Sequence, residues 1–282
     1  MRIGIFTNES RDPGFRITQQ CVQVIAAGGG EALISSRELA AALACTSGDY
    51  ADCDLLISLG GDGTFLAMTH LQGAEQIPMI GINLGSVGFL PIIEPENLDR
   101  DLTAILQGEY SIEERMRLQY SIHKKSGEVR DSGMALNDVV VHRGASRSIL
   151  TLDLWINEDE VERVPGDGLI VATPTGSTAY TLSAGGPIVH PSEAALIVTA
   201  ICPHTLHNRS YLANAGAVVK VALPENSKPV TLSADGREPL PLEPGQYIEV
   251  KQAGQALKML RLGRDNFYDT LADKIQKRGI SK

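Results

Sequence analysis

Residues 59–64 read LGGDGT and follow directly on the apolar run DLLIS. The glycines leave Asp62 as the one reactive side chain in the turn. Glycine-rich turns at the carboxyl end of a strand let backbone N–H groups approach phosphate oxygens, and ligands of open α/β sheets bind at that edge. Gly60, Gly61 and Gly63 permit close approach and positive φ, and Thr64 is placed to cap a helix starting there. A carboxylate beside phosphates is unfavourable unless it holds Mg²⁺ or accepts a hydroxyl proton, so the turn points to phosphoryl transfer. On this motif alone, a plain βα turn whose Asp only caps a helix stays open.

Two further stretches have the composition of a nucleotide site. GINLGSVGFL, residues 81–90, is a second glycine-rich strand exit, with Gly81, Gly85 and Gly88 suited to the other side of a phosphate pocket or to a tight loop under the sheet. PGDGLIVATPTGSTAYTLSAGGPIVHP, residues 165–191, runs from a strand pattern into Thr, Ser, Gly and Tyr. Small hydroxyl residues hydrogen-bond ribose, phosphate or amide groups, and Tyr180 is suited to stacking on a ring. Ser177 lacks the flanking GxSxG pattern, so covalent catalysis is not expected. Cys202, His204 and His207 lie close together, but no further ligand pair completes a tetrahedral metal site.

The elements that must carry these motifs fall into two patterns. Residues 3–85 alternate short apolar runs with helical stretches, which implies a parallel sheet. PENLDRDLTAILQG adds a helix with Pro95 at its entrance and Gly108 after its end. From about residue 116 to 262 short strands separated by turns, ending with ALKMLRLG, favour a β-sandwich. DNFYDTLADKIQKR closes the chain as a helix with Asp265 as N-cap. The expected organisation is an α/β domain over 1–112, joined by the closing helix 264–282, and a β-rich, sandwich-like domain over 113–263.

Bulk properties narrow the function classes. A net charge of −9 argues against a general nucleic-acid or anionic-membrane binder, which needs a positive face. No apolar stretch approaches the ~18 residues of a membrane helix and the N-terminus lacks an apolar signal region, so a cytoplasmic protein is expected. Cys21, Cys45, Cys53 and Cys202 have no CxxC spacing and read as small core residues, as does Trp155.

LGGDGTFL, GINLGSVGFL, ALNDVVVHRG, DGLIVATPTGSTAYTLSAGGPIVHP, ICPHTL and SADGR occur in this order over about residues 55–240 and together resemble the ATP-NAD kinases that make NADP. GGDGT alone also occurs in lipid kinases and, with Ser for Thr, in phosphofructokinases. The resemblance implies an α/β lobe with the GGDGT turn, a β-rich lobe supplying much of the NAD site, and a closing helix that rejoins the first lobe. It implies Mg²⁺ with ATP as donor, in some members polyphosphate, and a homodimer or homotetramer in which a neighbouring subunit helps build the pocket. The reaction implied is transfer of the γ-phosphoryl group to the 2′-hydroxyl of the adenosine ribose of NAD.

Carried over by position, Asp62 is the implied acid-base group with Gly63 beside it at the NAD, and Gly60, Gly61 and Thr64 shape the phosphate turn. Asn137 would read the adenine and Asp138 accept ribose hydroxyls. Ser148, Asp167, Thr175 and the run Thr178, Ala179, Tyr180, Thr181, Leu182 and Ser183 would line the NAD, Tyr180 by stacking. Four positions depart from the commoner family residues: Asp138 stands for Glu, Pro165 for Arg, Ala67 for a basic residue, and Arg237 for Gln. A guanidinium at 237 suits the 2′-phosphate of the product. Pro165 and Ala67 motivate the alternative of a non-catalytic NAD(P)(H)-binding regulator, and a lipid or sugar kinase is the less favoured one.

Overall fold

The structure, a computed structural model, describes residues 1–85, 88–146, 148–205, 208–263 and 266–280. The chain divides into two compact units, Met1–Glu114 with Leu257–Lys282, and Arg115–Ala256.

Among the described residues the first unit holds one sheet of seven strands, ordered Thr46–Ser47, Glu31–Ile34, Arg2–Thr7, Leu55–Gly60, Met79–Asn83, Leu257–Arg261, Ser111–Arg115. From Thr46–Ser47 through Leu257–Arg261 the neighbours are parallel. The chain starts at Arg2–Thr7, steps outward on one side, then returns to the other side with Leu55–Gly60. The order therefore reverses between these two strands, and the crevice at their carboxyl ends is where such sheets bind ligands. Leu55–Gly60 and Met79–Asn83 are buried along their whole length, the physical reason for their unbroken apolar runs. Helices Arg16–Ala27 and Leu98–Leu106 cover the sheet with Val22 and Ile25, and Leu98, Leu102 and Ile105, an apolar stripe at helical spacing.

The run ALKMLRLG, expected in the β-rich lobe, lies instead in the first sheet. Met259 pairs with Met79, and Leu260 and Leu262 enter the first core. Alternation shows that a segment is a strand and is silent on which sheet it joins. The closing helix Phe267–Ile280 belongs to the same unit and sets the Lys274 Nζ 5.4 Å from the centre of the Phe89 ring. Asp265, the expected N-cap, lies outside the described residues.

The second unit holds two antiparallel sheets of six strands each among the described residues. One runs Asp159–Gly166, Leu150–Ile156, Val218–Ala222, Tyr247–Gln252, Leu118–His123, Val129–Ala135. The other runs Tyr211–Asn214, Ala195–Ile201, Gly168–Ala172, Asp138–His142, Val230–Ala234, Leu240–Leu242. Their facing side chains, among them Leu118, Ile122, Leu152, Val219, Val139, Val141, Leu169 and Val171, form one shared core. The intervening residues Val140, Ile170, Ala172 and Ile197 form a second cluster with Ala184 and Val189. The hydroxyl-rich segment after Ala172 thus covers the outer face of the second sheet, which explains why DVVVH, GLIVA and ALIVTAI lack polar alternation. Trp155, read as core, is only half-buried, with the Lys220 Nζ 5.0 Å from its ring centre. Cys21 and Cys53 are buried as expected, whereas Cys45 is half-buried and Cys202 is exposed with φ 45°.

Candidate functional site

The strand Leu55–Gly60 runs into the helix Asp62–Thr69 with only Gly61 between them. Asp62 opens the helix, where the unpaired N–H groups and the dipole favour a negative charge. Its Oδ1 accepts hydrogen bonds from the backbone N–H groups of Phe89 at 2.8 Å and Leu90 at 2.9 Å. The two glycine-rich exits are thereby joined through one carboxylate, and a Cβ on Gly88 would meet that Oδ1 at 2.9 Å. Asn83, buried at the end of the next strand, receives the Gly85 N–H on its Oδ1 and donates to Glu94. Ser86 and Val87 of this exit lie outside the described residues.

The glycines of GGDGT serve differently from the expectation. None has a positive φ, and Thr64 is a buried residue inside the helix while Gly61 occupies the N-cap. Gly60 is required by packing, since a Cβ there would lie 2.2 Å from Thr64 Oγ1 and 2.6 Å from Thr64 Cβ. Around Gly61 and Gly63 a Cβ would meet nothing within 4 Å. The space beside their Cα atoms is open, as the close approach of a phosphate requires.

In the second unit Asn137 and Asp138 open the central strand Asp138–His142, and both are buried. The segment 173–178 packs on their backbone. Thr173 Oγ1 donates to the Leu136 carbonyl at 2.6 Å and accepts from the Gly176 N–H at 3.0 Å, while the Thr173 N–H donates to the Asn137 carbonyl at 2.9 Å. Gly176 permits this contact, because a Cβ there would lie 2.1 Å from the Asn137 carbonyl oxygen. Ser177 ties the far end of the segment, bonding through Oγ to the N–H and carbonyl of Val189 at 3.1 Å each. Thr175, Thr178 and Thr181 are buried, with Arg115 Nη1 donating to Thr175 Oγ1 and Thr178 Oγ1 donating to the Thr175 carbonyl. Ala179 and Leu182 are half-buried, and Tyr180 and Ser183 are exposed. The Tyr180 phenol is pushed up by partial burial and then by the charges of Cys202, Asp167 and Asp138, so these groups share one electrostatic neighbourhood. Burial pushes the Asp138 carboxyl up to about 7, with the charge of Asp235 adding to it.

Two residues that sequence reasoning missed complete this half. Asp235 has φ 52°, and its carboxylate accepts from the N–H groups of Leu136, Asn137 and Asp138 at 2.8, 2.7 and 3.3 Å. Arg143 Nε donates to Asp167 Oδ1 at 2.6 Å. The available signals were the ADG turn after a strand and a cation directly past the VVV run. Arg163, two residues before Pro165, is engaged with Asp153 on the adjacent strand. Pro165 sits on the edge strand of its sheet, where the loss of a donor is tolerated. Ser148 lines a cavity of about 500 Å³ together with Arg143, Arg163 and Lys228, and accepts from Lys228 Nζ. Arg237 is exposed on the Asp235 turn, and Ala67 is exposed on its helix. His204 donates its N–H to the Pro165 carbonyl, while His207 lies outside the described residues. Among the described residues, no group of three or more His, Cys, Asp or Glu gathers to hold a metal on its own.

Comparisons with known proteins bear on both units. The ATP-NAD kinase N-terminal domain model matches residues 42–110, and the ATP-NAD kinase C-terminal domain model matches residues 136–262. The NAD kinase of Ruminiclostridium cellulolyticum is 36% identical over 282 residues, spanning 98% of this chain and 98% of that protein. The NAD kinase of Symbiobacterium thermophilum is 40% identical over 226 residues, 80% of each chain. Among solved structures, yeast NADH kinase complexed with NADH has a TM-score of 0.84 at 25% identity, covering 100% of this chain and 88% of the yeast chain. An NAD kinase from Archaeoglobus fulgidus in complex with ATP has a TM-score of 0.77 at 25% identity, covering 98% and 99%. With relatives this similar along nearly its whole length, the chain belongs to the ATP-NAD kinase family.

Proposed function

We propose that this protein is an NAD kinase that transfers the γ-phosphoryl group of ATP to the 2′-hydroxyl of the adenosine ribose of NAD, giving NADP and ADP. The observation that carries the mechanism is the Asp62 carboxylate, fixed through Oδ1 by two backbone N–H groups at the carboxyl end of a central parallel strand. With Oδ1 so held, Oδ2 takes the proton of the 2′-hydroxyl as that oxygen bonds to the γ-phosphorus and the bond to the ADP oxygen breaks. The turn at Gly61 and Gly63, with open space beside both Cα atoms, admits the phosphates, whose charge its backbone N–H groups stabilise without a covalent intermediate. In the second unit Asn137 binds the adenine, Asp138 the ribose hydroxyls, and Asp167 with Tyr180 the nicotinamide end.

Mg²⁺ fits this donor set, because such sites hold it through one or two carboxylates together with the substrate phosphates and need no dedicated cage of protein ligands. With Asp62 Oδ1 engaged by two N–H groups and Oδ2 serving as the base, the substrate phosphates would hold the ion, and the ion would offset their charge. The same reading makes the protein a cytoplasmic homodimer or homotetramer, and no helix among the described residues is long and apolar enough to cross a membrane.

The test is NADP formation read by an NADP-specific dehydrogenase, with NAD or NADH as acceptor, ATP or polyphosphate as donor, and Mg²⁺ present or absent. ATP-dependent NADP formation is expected. Tight NAD binding with no product from any pairing would replace the kinase with a nucleotide-binding regulator.

A further inference from the structure

In the antiparallel pairing of Val230–Ala234 with Asp138–His142, Ala234 lies opposite Val139, so the next residue, Asp235, falls opposite Asp138. Two carboxylates directly opposed across strands repel each other, and this pair sits where Asp138 is only 5% exposed. A fold seeking stability alone would not keep them. Asp235 nevertheless turns its carboxylate onto three consecutive backbone N–H groups, those of Leu136, Asn137 and Asp138, and gives its own N–H to the Asp138 carbonyl at 3.0 Å. To do so it adopts φ 52°, a conformation that Asp tolerates better than most residues. The same turn returns the Arg237 N–H to the Ala234 carbonyl at 3.0 Å.

We propose that Asp235 is a positioning residue of the dinucleotide site: its carboxylate fixes the 136–138 backbone and so presents the Asn137 amide and the Asp138 carboxylate to the adenosine. The inference rests on the NAD-binding reading of Asn137 and Asp138. Asp235 also acts on Asp138 through charge. The groups that face Asp138 electrostatically are Asp235 from the adjacent turn and the Tyr180 phenol, with Arg237 two residues beyond Asp235. Burial and the Asp235 charge together hold the Asp138 carboxyl near 7. A ribose-binding carboxylate accepts from hydroxyls with both oxygens when ionised and loses part of that capacity on protonation, so NAD affinity of the parent falls below that pH, by up to about tenfold for each unit.

The experiment measures the Kd for NAD by calorimetry between pH 5.5 and 8.5 on the full chain, for the parent, Asp235→Asn and Asp235→Ala. In parallel, ¹³C NMR follows the aspartate carboxyls, with Asp138→Asn assigning the signal. Asp235→Asn removes the charge and leaves one acceptor oxygen for the three N–H groups, so the Asp138 midpoint should fall, and acid loss of NAD affinity should move down with it. Asp235→Ala should also weaken NAD binding at pH 8.5, by at least tenfold, because all three N–H groups lose their acceptor. NAD affinity of Asp235→Ala within about twofold of the parent at pH 8.5, or an Asp138 midpoint unchanged by Asp235→Asn, would overturn the proposal. A parent that binds NAD and shows the shift but forms no NADP would reject the kinase and keep Asp235 in its role. A parent that does not bind NAD would overturn both.

Discussion

Gly63→Ala separates what the GGDGT turn does for the fold from what it does for the ligand. Gly63 is the second residue of the helix Asp62–Thr69, its φ is not positive, and a Cβ there would meet nothing within 4 Å. Alanine in a helix is favoured over glycine by about 0.8 to 1 kcal/mol, so unfolding in denaturant should show Gly63→Ala unchanged or more stable by up to about that amount. Activity should move the other way. An alanine N–H still bonds an oxygen at about 3 Å, but a phosphate lying against the open face of Gly63 would meet the added methyl, and a displacement of about 1 Å costs about 10²-fold in rate. Gly60→Ala is the contrast, since its Cβ would lie 2.2 Å from Thr64 Oγ1. Overpacking of that kind costs about 1–3 kcal/mol, so this variant should lose stability. The assays are urea unfolding and steady-state NADP formation on the same preparations. A Gly63→Ala enzyme as stable as the parent and within about twofold of its kcat/KM would refute the packing of phosphate against this face of Gly63.

Asp62→Asn retains one side-chain oxygen for the Phe89 and Leu90 N–H groups, so the loop should persist while kcat falls by about 10²–10⁴-fold and NAD affinity stays within a few-fold of the parent; preserved kcat would remove Asp62 as the base. Asp138→Asn should flatten the pH dependence of stability. The folded-state value near 7 lies above the ordinary 3.8, so this group's contribution is complete below the ordinary value and is lost as pH rises through about 7, by at most about 4 kcal/mol. Denaturant midpoints at pH 5 and pH 8 should thus differ less in Asp138→Asn than in the parent, and an equal difference would contradict the burial argument. Arg143→Met leaves Asp167 without its 2.6 Å partner and should raise the KM for NAD about tenfold with little change in kcat; an unaltered KM would separate this ion pair from binding.

What the sequence disclosed was what local chemistry decides. A strand exit built from glycines around one acid is recognisable because turn geometry depends on adjacent residues, and Asp62 and the 165–191 stretch were singled out that way, whereas Asn137 came only through the family resemblance. Asp235 and Arg143 escaped because their roles depend on cross-strand register. Asp235 bonds a segment 97 to 99 residues earlier, and Arg143 an aspartate 24 residues later. Once Gly168 is known to pair with His142, residue 143 must oppose 167, but nothing near either residue announces that pairing. The strand Leu257–Arg261 shows the same limit at the level of a whole element. Of the two reasons expected for the glycines, close approach and positive φ, the second does not hold: a glycine that avoids a clash, as Gly60 does, and one that permits positive φ look alike in a sequence, and only packing tells them apart.

That distinction has a consequence for where each unit departs from its most stable form. Gly88 and Gly176 admit their neighbours, with Cβ positions 2.9 Å from Asp62 Oδ1 and 2.1 Å from the Asn137 oxygen, so glycine is what the packing requires. Gly63 answers to no such neighbour, and alanine would make a better helix. In the second unit the unneeded cost is the opposed Asp138 and Asp235, where a neutral residue at 138 would avoid burying a carboxyl held near 7. Sequences agree with local rules except where function overrides them. The first unit breaks a helix rule beside Asp62 and the second breaks a cross-strand rule beside Asn137. Each breach favours a ligand, through an open face at Gly63 in one unit and an ionisable oxygen in the other, so the two departures are independent physical arguments for the same dinucleotide chemistry.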